Sequence, residues 1–311
     1  MSDLKLFRID SGVAAELTNS AMVLERHLQT LLERNMETLF GVRFLASEYS
    51  TGARHGGRVD SLGIDENGSP VIFEYKRSRD ENVINQGLFY LDWLLDHKGE
   101  FALLVQQRLG AASAAEIDWS NPRLVCVAQD FTRYDEHAVQ QINRAIELVR
   151  YRDYGGQLLA LELVTAVAGK PSRESSGRAQ ATSDNRARSA ATPDKTVSHY
   201  LEKAPESLAN LFADLDAALS AFGDDVQRIT RKNYFAYRRL RNFACVEVHP
   251  RDHCLLVYAK ADPRTVALEE GFTRDVRSIG HFGTGDLEIR IRDQADLQRA
   301  SDLLLQSYQD N

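Results

Sequence analysis

Two acidic residues and a lysine are spaced so that they could meet on one surface. Asp60 precedes the sequence Asp65-Glu66-Asn67-Gly68, and Glu74 and Lys76 follow it. This four-residue sequence is a strong turn signal, and alternating residues flank it, so a β-hairpin is predicted. Side chains alternate along a strand, so Glu74 and Lys76 point the same way. The turn puts Asp60 opposite Glu74 to within one residue.

This arrangement predicts a divalent-metal site. Directly opposed residues of a hairpin lie about 4.5–5.5 Å apart at Cβ, and two opposed carboxylates repel each other unless a cation lies between them. Carboxylate oxygens are ligands that Mg²⁺ prefers, and Mn²⁺ is the alternative. Asp60 and Glu74 would hold the ion, helped by the backbone carbonyl of Tyr75. Lys76 would orient water or stabilise charge on a phosphate, which suits phosphodiester hydrolysis.

A simpler interpretation of the same three residues stays open. Asp60, Glu74 and Lys76 could form an exposed, salt-bridged patch on one face of a hairpin. Surface ion pairs of this kind are common and contribute little to stability.

A family resemblance favours the metal site. Gly57-Arg58-Val59-Asp60, thirteen residues and then Glu74-Tyr75-Lys76 resemble the PD-(D/E)XK nuclease superfamily, and more closely the NucS-like endonuclease group. A Gln-x-x-x-Tyr helix follows in that group, and Gln86 and Tyr90 match it. The resemblance covers roughly residues 20–165. It implies that Gln86 and Tyr90 lie beside the metal and that an acidic residue of the first helix, here best matched by Glu25, joins the site.

The elements around these residues predict an α/β fold with a mixed β-sheet flanked by helices, similar to the core of restriction endonucleases. The predicted order is helix, three-strand meander, helix, strand, strand, helix and strand. The predicted helices are Ala21–Phe40, Glu81–His97 and Ala138–Tyr151, and the predicted strands are Val42–Tyr49, Arg58–Ile64, Val71–Tyr75, Phe101–Val105, Leu124–Ala128 and Leu158–Val164.

The composition along the chain predicts two domains joined by a linker. Residues 168–196 are rich in Ser, Ala, Arg, Gly and Pro and lack apolar periodicity, so they are predicted to be a flexible linker. It separates a nuclease-like domain, residues 1–167, from a small α+β domain, residues 197–311. The second domain resembles a small domain of unknown function that is often appended to nuclease-like domains, and we expect it to bind substrate or a partner.

Several basic and aromatic residues are candidates for binding nucleic acid. The net charge of −7 weakens this expectation, because phosphate contacts normally come from Lys and Arg. Solvated strand ends, or a basic edge beside a buried aromatic stripe, explain the same residues. The candidates are Arg58, Arg77 and Arg79 near the predicted metal site and Arg231, Lys232 and Tyr234 in the second domain.

The remaining features predict a cytoplasmic protein that does not enter a membrane. No apolar run approaches the roughly 18 residues of a membrane span, and three cysteines are too few for a disulfide framework. The resemblance implies DNA as the partner, and a homodimer is expected because many nucleases of this type pair to cut both strands. The alternative is a non-catalytic nucleic-acid-binding or protein-interaction module that keeps a nuclease-like fold.

Overall fold

The computed structural model describes residues 4–20, 22, 24–77, 82–167, 169 and 196–311. The chain divides into two compact units, Met1–Lys170 and Pro171–Asn311, and each is described by itself. The linker predicted over residues 168–196 lies outside the described residues except for Gly169 and Thr196, so that part of the prediction stays a prediction.

The first unit is built on a six-stranded mixed sheet, which confirms the predicted α/β fold class. The strands are β3 (Val42–Ser50), β4 (Arg58–Asp65), β5 (Pro70–Lys76), β6 (Arg123–Ala128), β7 (Ala145–Tyr154) and β8 (Leu158–Val167). They lie side by side in the order in which they occur along the chain; the pairs β5–β6 and β6–β7 are parallel and the others antiparallel.

Helices cover both faces of this sheet. They are α1 (Glu25–Arg34), α2 (Met36–Phe40), the single turn α3 (Gly52–His55), α4 (Val83–Asp96), α5 (Lys98–Leu109), α6 (Ala111–Ala115) and α7 (Arg133–Gln140). On one face, Ile72 of β5 belongs to a core cluster with Trp93 and Leu94 of α4. On the other face, the ring of Phe73 packs edge-on against Phe40 of α2 at 5.0 Å. Successive side chains of β5 point to opposite faces of the sheet, and helices bury both faces.

The β4–β5 hairpin is fixed by its turn. Asp65 Oδ1 accepts the backbone N–H groups of Asn67 (2.9 Å) and Ser69 (2.8 Å), as a turn aspartate is expected to do. Gly68 has a φ of 75°, a conformation that glycine adopts without steric cost. The resulting register pairs Ser61 with Phe73. The hairpin predicted from the sequence is therefore confirmed.

A buried ion network ties this turn to the parallel strands. Arg123 at the start of β6 donates to Asp65 Oδ2 at 2.8 Å and makes two bonds of 2.9 Å to the carboxylate of Glu147 in β7. All three side chains are about 3% exposed. A buried charge is tolerated only when it is paired and hydrogen-bonded, and this network meets that condition.

Two predicted elements are wrong. Residues Phe101–Val105 lie inside helix α5 and not in a strand, because Phe101 and Val105, one helical turn apart, are buried whereas Leu103 between them is 54% exposed. The helix predicted over Ala138–Tyr151 is instead the end of α7 followed by strand β7. Strand β7 is largely buried although it contains the charged residues Glu147 and Arg150, because each of these charges is neutralised by an ion pair.

The first unit also contains a hairpin and a helix break that the sequence did not predict. A two-stranded hairpin, β1 (Leu6–Asp10) and β2 (Val13–Leu17), precedes the main fold. The single helix predicted over Ala21–Phe40 is broken at Asn35 into α1 and α2.

The second unit is a small α+β domain, as predicted. Its elements are α8 (Val197–Glu202), α9 (Glu206–Ser220), β9 (Gln227–Thr230), β10 (Phe235–Arg238), β11 (Asn242–His249), β12 (Cys254–Ala259), β13 (Thr273–Asp275), β14 (Leu287–Ile291) and α10 (Gln294–Gln309). The antiparallel sheet has the strand order β13-β14-β12-β11-β10-β9, and the core cluster lies between the sheet and the helices.

The cysteines and helices bear on two further expectations. Cys126, Cys245 and Cys254 are buried thiols that take part in no disulfide. In the described ranges, no helix combines the length and the apolar character that crossing a membrane requires.

The Arg123 network generates a stability prediction. Replacing Arg123 with Met leaves Asp65 and Glu147 buried without their cation, and breaking a buried pair in this way costs about 3–5 kcal/mol. Urea unfolding at pH 7 measures the loss, with the exposed Arg133→Met variant as the control. A loss below about 1 kcal/mol for Arg123→Met, similar to the control, would contradict the structural role of the network.

Candidate metal centre and active site

Asp60 and Glu74 face each other at the point where strands β4 and β5 separate. Continuing the register of the Ser61–Phe73 pair places Asp60 directly opposite Glu74. Each carboxylate bonds to the backbone of the opposite strand: the Asp60 N–H donates to Glu74 Oε1 at 3.3 Å, and the Tyr75 N–H donates to Asp60 Oδ2 at 2.9 Å. The two side chains therefore occupy the gap between the strands.

The interior of the gap leaves one carboxylate oxygen unsatisfied. Glu74 is 0% exposed, and no hydrogen-bond partner for its Oε2 atom is found among the described residues. A buried oxygen of this kind costs free energy unless a proton or a cation compensates it. This atom is the feature of the site that most directly fits a metal ion.

Protonation behaviour follows from the same burial. Burial raises the pKa of Asp60 to about 6. Burial and the neighbouring charge of Asp60 raise the pKa of Glu74 to about 9. The pair thus holds a proton near neutral pH when no cation is bound, because two close carboxylates cannot both ionise cheaply in a dry site. A divalent cation would replace that proton.

The donor set fits a cation that keeps part of its own coordination shell. Across the ranges that the structure covers, no three His, Cys, Asp or Glu side chains are grouped so that they could hold an ion. Two carboxylates remain, with the Tyr75 carbonyl as the predicted third ligand. Mg²⁺ is commonly held by one or two carboxylates together with water and substrate phosphate, so this set suits Mg²⁺ or Mn²⁺ better than a fully protein-enclosed ion.

Glu25 lies at the site but contacts the lysine. Its Oε1 is 3.3 Å from Lys76 Nζ, and its Oε2 accepts the Arg77 backbone N–H at 3.1 Å. The Lys76 side chain is only 16% exposed. Burial would lower the pKa of Lys76, but the charges of Glu25 and Asp60 outweigh it and raise that pKa. Lys76 is therefore a fixed ammonium beside the carboxylate pair.

The structure joins Gln86 and Tyr90 to the strand that carries Asp60. The Tyr90 hydroxyl accepts the Arg58 backbone N–H at 3.2 Å, and Gln86 Nε2 lies 3.4 Å from the same hydroxyl. A Cβ at Gly57 would stand 2.6 Å from the Tyr90 ring, so this close approach requires glycine. Gln86 and Tyr90 thus position the start of β4, two residues before Asp60.

An open pocket reaches Asp60 from the surface. Its volume is about 500 Å³, and Glu25, Gln29, Glu48 and Arg58 are among its lining residues. Glu48 of β3 faces the same pocket and forms a 3.2 Å ion pair with Arg58. The carboxylates of the lining would repel a phosphate, so a bound cation is needed before the site can accept one.

Sequence reasoning missed a polar stripe on α1. Gln29 Nε2 donates to the Asp60 carbonyl at 2.9 Å, and Glu33 Oε1 accepts the Ser61 hydroxyl at 2.6 Å. Glu25, Gln29 and Glu33 are spaced by four residues, which places them on one helix face. This spacing of four residues is the feature of the sequence that could have identified the stripe.

The predicted nucleic-acid contacts are placed unevenly. Arg58 and Arg77 are exposed near the site, whereas Arg79 lies outside the described residues. In the second unit, Tyr234 and Arg231 are each 9% exposed, and Tyr234 belongs to a core cluster. Little of the Tyr234 ring remains free to stack on a base. The Lys232 carbonyl accepts the Val197 N–H at 2.6 Å, so this segment anchors α8.

Comparisons with known proteins include a family model that matches residues of the second unit. Residues 197–311 match the model of DUF5655, a domain of unknown function. An uncharacterized protein of Haemophilus influenzae (strain ATCC 51907 / DSM 11121 / KW20 / Rd) is 25% identical over 316 residues, which span 99% of this chain and 100% of that protein.

Solved structures with partial similarity include endonucleases. A repair endonuclease from Pyrococcus abyssi is 22% identical with a TM-score of 0.29, covering 43% of this chain and 50% of that one. The complex of EndoMS with double-stranded DNA is 20% identical with a TM-score of 0.25, covering 42% of this chain and 47% of that one. The chain thus spans about half the length of these structures, and similarity at this level does not assign an activity.

The carboxylate pair generates a prediction for stability against pH. The pKa values of Asp60 and Glu74 are raised in the folded state, to about 6 and about 9, so the folded state binds more protons than the unfolded state above about pH 4. Without divalent cations, the free energy of unfolding of the wild type should therefore fall, relative to Glu74→Gln, as the pH rises from 5 to 9. We expect a relative loss of about 2 kcal/mol or more.

Urea unfolding at several pH values, with a chelator present, measures this effect. Millimolar Mn²⁺ at pH 8.5 should restore the stability of the wild type and leave Glu74→Gln unchanged, because the variant lacks one of the two proposed ligands. If the free energies of unfolding of the two proteins change with pH in parallel, the pKa of Glu74 is not raised in the folded state.

Proposed function

We propose that the first unit is a metal-dependent endonuclease that hydrolyses phosphodiester bonds in DNA. The observation that carries the proposal is the opposition of Asp60 and Glu74 across the separating strands, with Glu74 Oε2 buried and, within the described part of the chain, without a protein partner. The resemblance of residues 57–60, 74–76, 86 and 90 to the NucS-like group supports the same reaction.

Each site residue has a defined task in this reaction. Asp60 and Glu74 would hold the cation, which would take the place of the proton that the pair otherwise shares. A bound Mg²⁺ or Mn²⁺ supplies Lewis-acid polarisation of the scissile phosphate and of the attacking water. Lys76, held by Glu25 at 3.3 Å, stabilises the negative charge that develops on the phosphate. Gln86 and Tyr90 fix the backbone that carries Asp60.

Strand cleavage in the presence and absence of metal tests the proposal. Supercoiled plasmid and short DNA and RNA strands are incubated with Mg²⁺ or Mn²⁺, and nicked or shortened products are measured. Glu74→Gln and Lys76→Met should each reduce DNA cleavage roughly 100- to 1,000-fold, because each removes a preorganised charge. The exposed Glu116→Gln variant, in the same unit, should cleave like the wild type.

Two results would overturn the proposal. Cleavage that persists in both Glu74→Gln and Lys76→Met would place the active site elsewhere. No cleavage by the wild type on any substrate, together with no calorimetric Mn²⁺ binding that depends on Asp60, would favour the non-catalytic module.

A further inference from the structure

A glycine-rich loop stands directly beside the proposed metal site. Residues 51–57 connect β3 to β4, and the loop is closed at its base, where Thr51 Oγ1 donates to the Gly57 carbonyl at 3.0 Å and accepts the Gly57 N–H at 2.9 Å. A pocket of about 420 Å³ opens on this loop, lined by Ser50, Gly52, Ala53, Gly56, Gly57 and Arg58. Its lining therefore consists of small residues and one arginine.

An aromatic surface adjoins the loop. Phe89 of α4 is 46% exposed, and its ring centroid lies 5.5 Å from that of His55, the last residue of α3. The Phe89 ring also contacts Tyr90 at 5.8 Å, and the His55 ring contacts His97 at 5.6 Å. The Phe89 ring thus contacts the rings of His55 and Tyr90, and part of it faces solvent. An exposed aromatic ring held in this way suits stacking on another flat ring.

The aromatic surface at Phe89 is connected through Tyr90 and Arg58 to the proposed metal site. Tyr90, the neighbour of Phe89, bonds to the backbone of Arg58, and Arg58 lies two residues before Asp60 on the same face of β4. Two residues of a strand span about 7 Å, a distance similar to that between successive phosphates of a nucleic-acid strand. A nucleic-acid strand that runs along β4 with one phosphate at Asp60 would therefore place the next phosphate near Arg58 and the loop.

We propose that this loop and Phe89 form a nucleotide subsite next to the reacting phosphate, which rests on the proposed function for its role. The pocket at Gly56, Gly57 and Arg58 takes the neighbouring phosphate, and the Phe89 ring, backed by His55, stacks on the base of that nucleotide. Arg58 is available because its ion pair with Glu48 is exposed and exchangeable, with 65% and 49% of the two side chains accessible. Glycines allow the backbone to approach the phosphate closely.

Binding of oligonucleotides without cleavage tests the subsite. Single-stranded DNA carrying 2-aminopurine at one position at a time is titrated with the full chain in Ca²⁺, and fluorescence reports stacking of that base. One position should be quenched strongly by the wild type, and Phe89→Ala should abolish the quenching there and weaken binding about five- to hundredfold. Phe89→Trp should keep both. The control Leu103→Ala, an apolar truncation at a residue 54% exposed on α5, should behave as the wild type.

A second readout separates the subsite from the metal chemistry. Calorimetric binding of Mn²⁺ needs the metal site and no nucleotide, so Phe89→Ala should match the wild type while Glu74→Gln loses binding. If the wild type binds no Mn²⁺ and cleaves none of the DNA and RNA substrates but Phe89→Ala still loses oligonucleotide binding, the nuclease proposal falls and the subsite stands. Unchanged binding and quenching in Phe89→Ala, with Phe89→Trp and Leu103→Ala equally unaffected, would overturn the subsite.

Discussion

Electrostatic repulsion between two buried carboxylates is the constraint on which the site depends. Asp60 and Glu74 meet in the gap between β4 and β5, where each takes a backbone N–H of the other strand. Those two bonds orient the carboxylates but do not cancel their charges, and burial keeps water from doing so. Replacing either residue would relieve this repulsion, and a bound cation, as proposed, would relieve it with both residues in place.

The remainder of the first unit holds this unfavourable pair in place. The turn at Asp65 sets the hairpin register, and Arg123 connects that turn to the parallel strands β6 and β7. Beyond the register pair of Ser61 and Phe73, β5 continues beside β6 with Glu74 next to Cys126. On the open side, α1 supplies Glu25 to Lys76 and Gln29 to the Asp60 carbonyl. Stability elsewhere thus offsets the strain of the site.

The local part of this arrangement could be predicted from the sequence. A turn signal and the alternation of a strand were enough to place Asp60 opposite Glu74, because a hairpin register depends on few residues. The contacts between Glu25 and Lys76 and between Gln29 and Asp60 depend on how α1 packs on the sheet, which no local pattern specifies. The family resemblance alone predicted that Glu25 joins the site, and in the structure Glu25 contacts Lys76.

The errors have similar physical causes. The run Phe101–Val105 is apolar throughout, and its period can be recognised only once Leu103 is seen to face solvent. Strand β7 contains Glu147 and Arg150, and these charges are typical of a polar helix face unless their ion-pair partners are known. The β1–β2 hairpin, which is absent from the prediction, turns at Ser11 and Gly12, both with positive φ.

A crystal of the wild-type protein grown with Mn²⁺ tests the central claim most directly. Anomalous scattering locates manganese without reference to activity. The account predicts one peak within coordination distance of both the Asp60 and the Glu74 carboxylates, and its loss in Glu74→Gln. A fully occupied manganese elsewhere on the first unit, with none between these carboxylates, would contradict it.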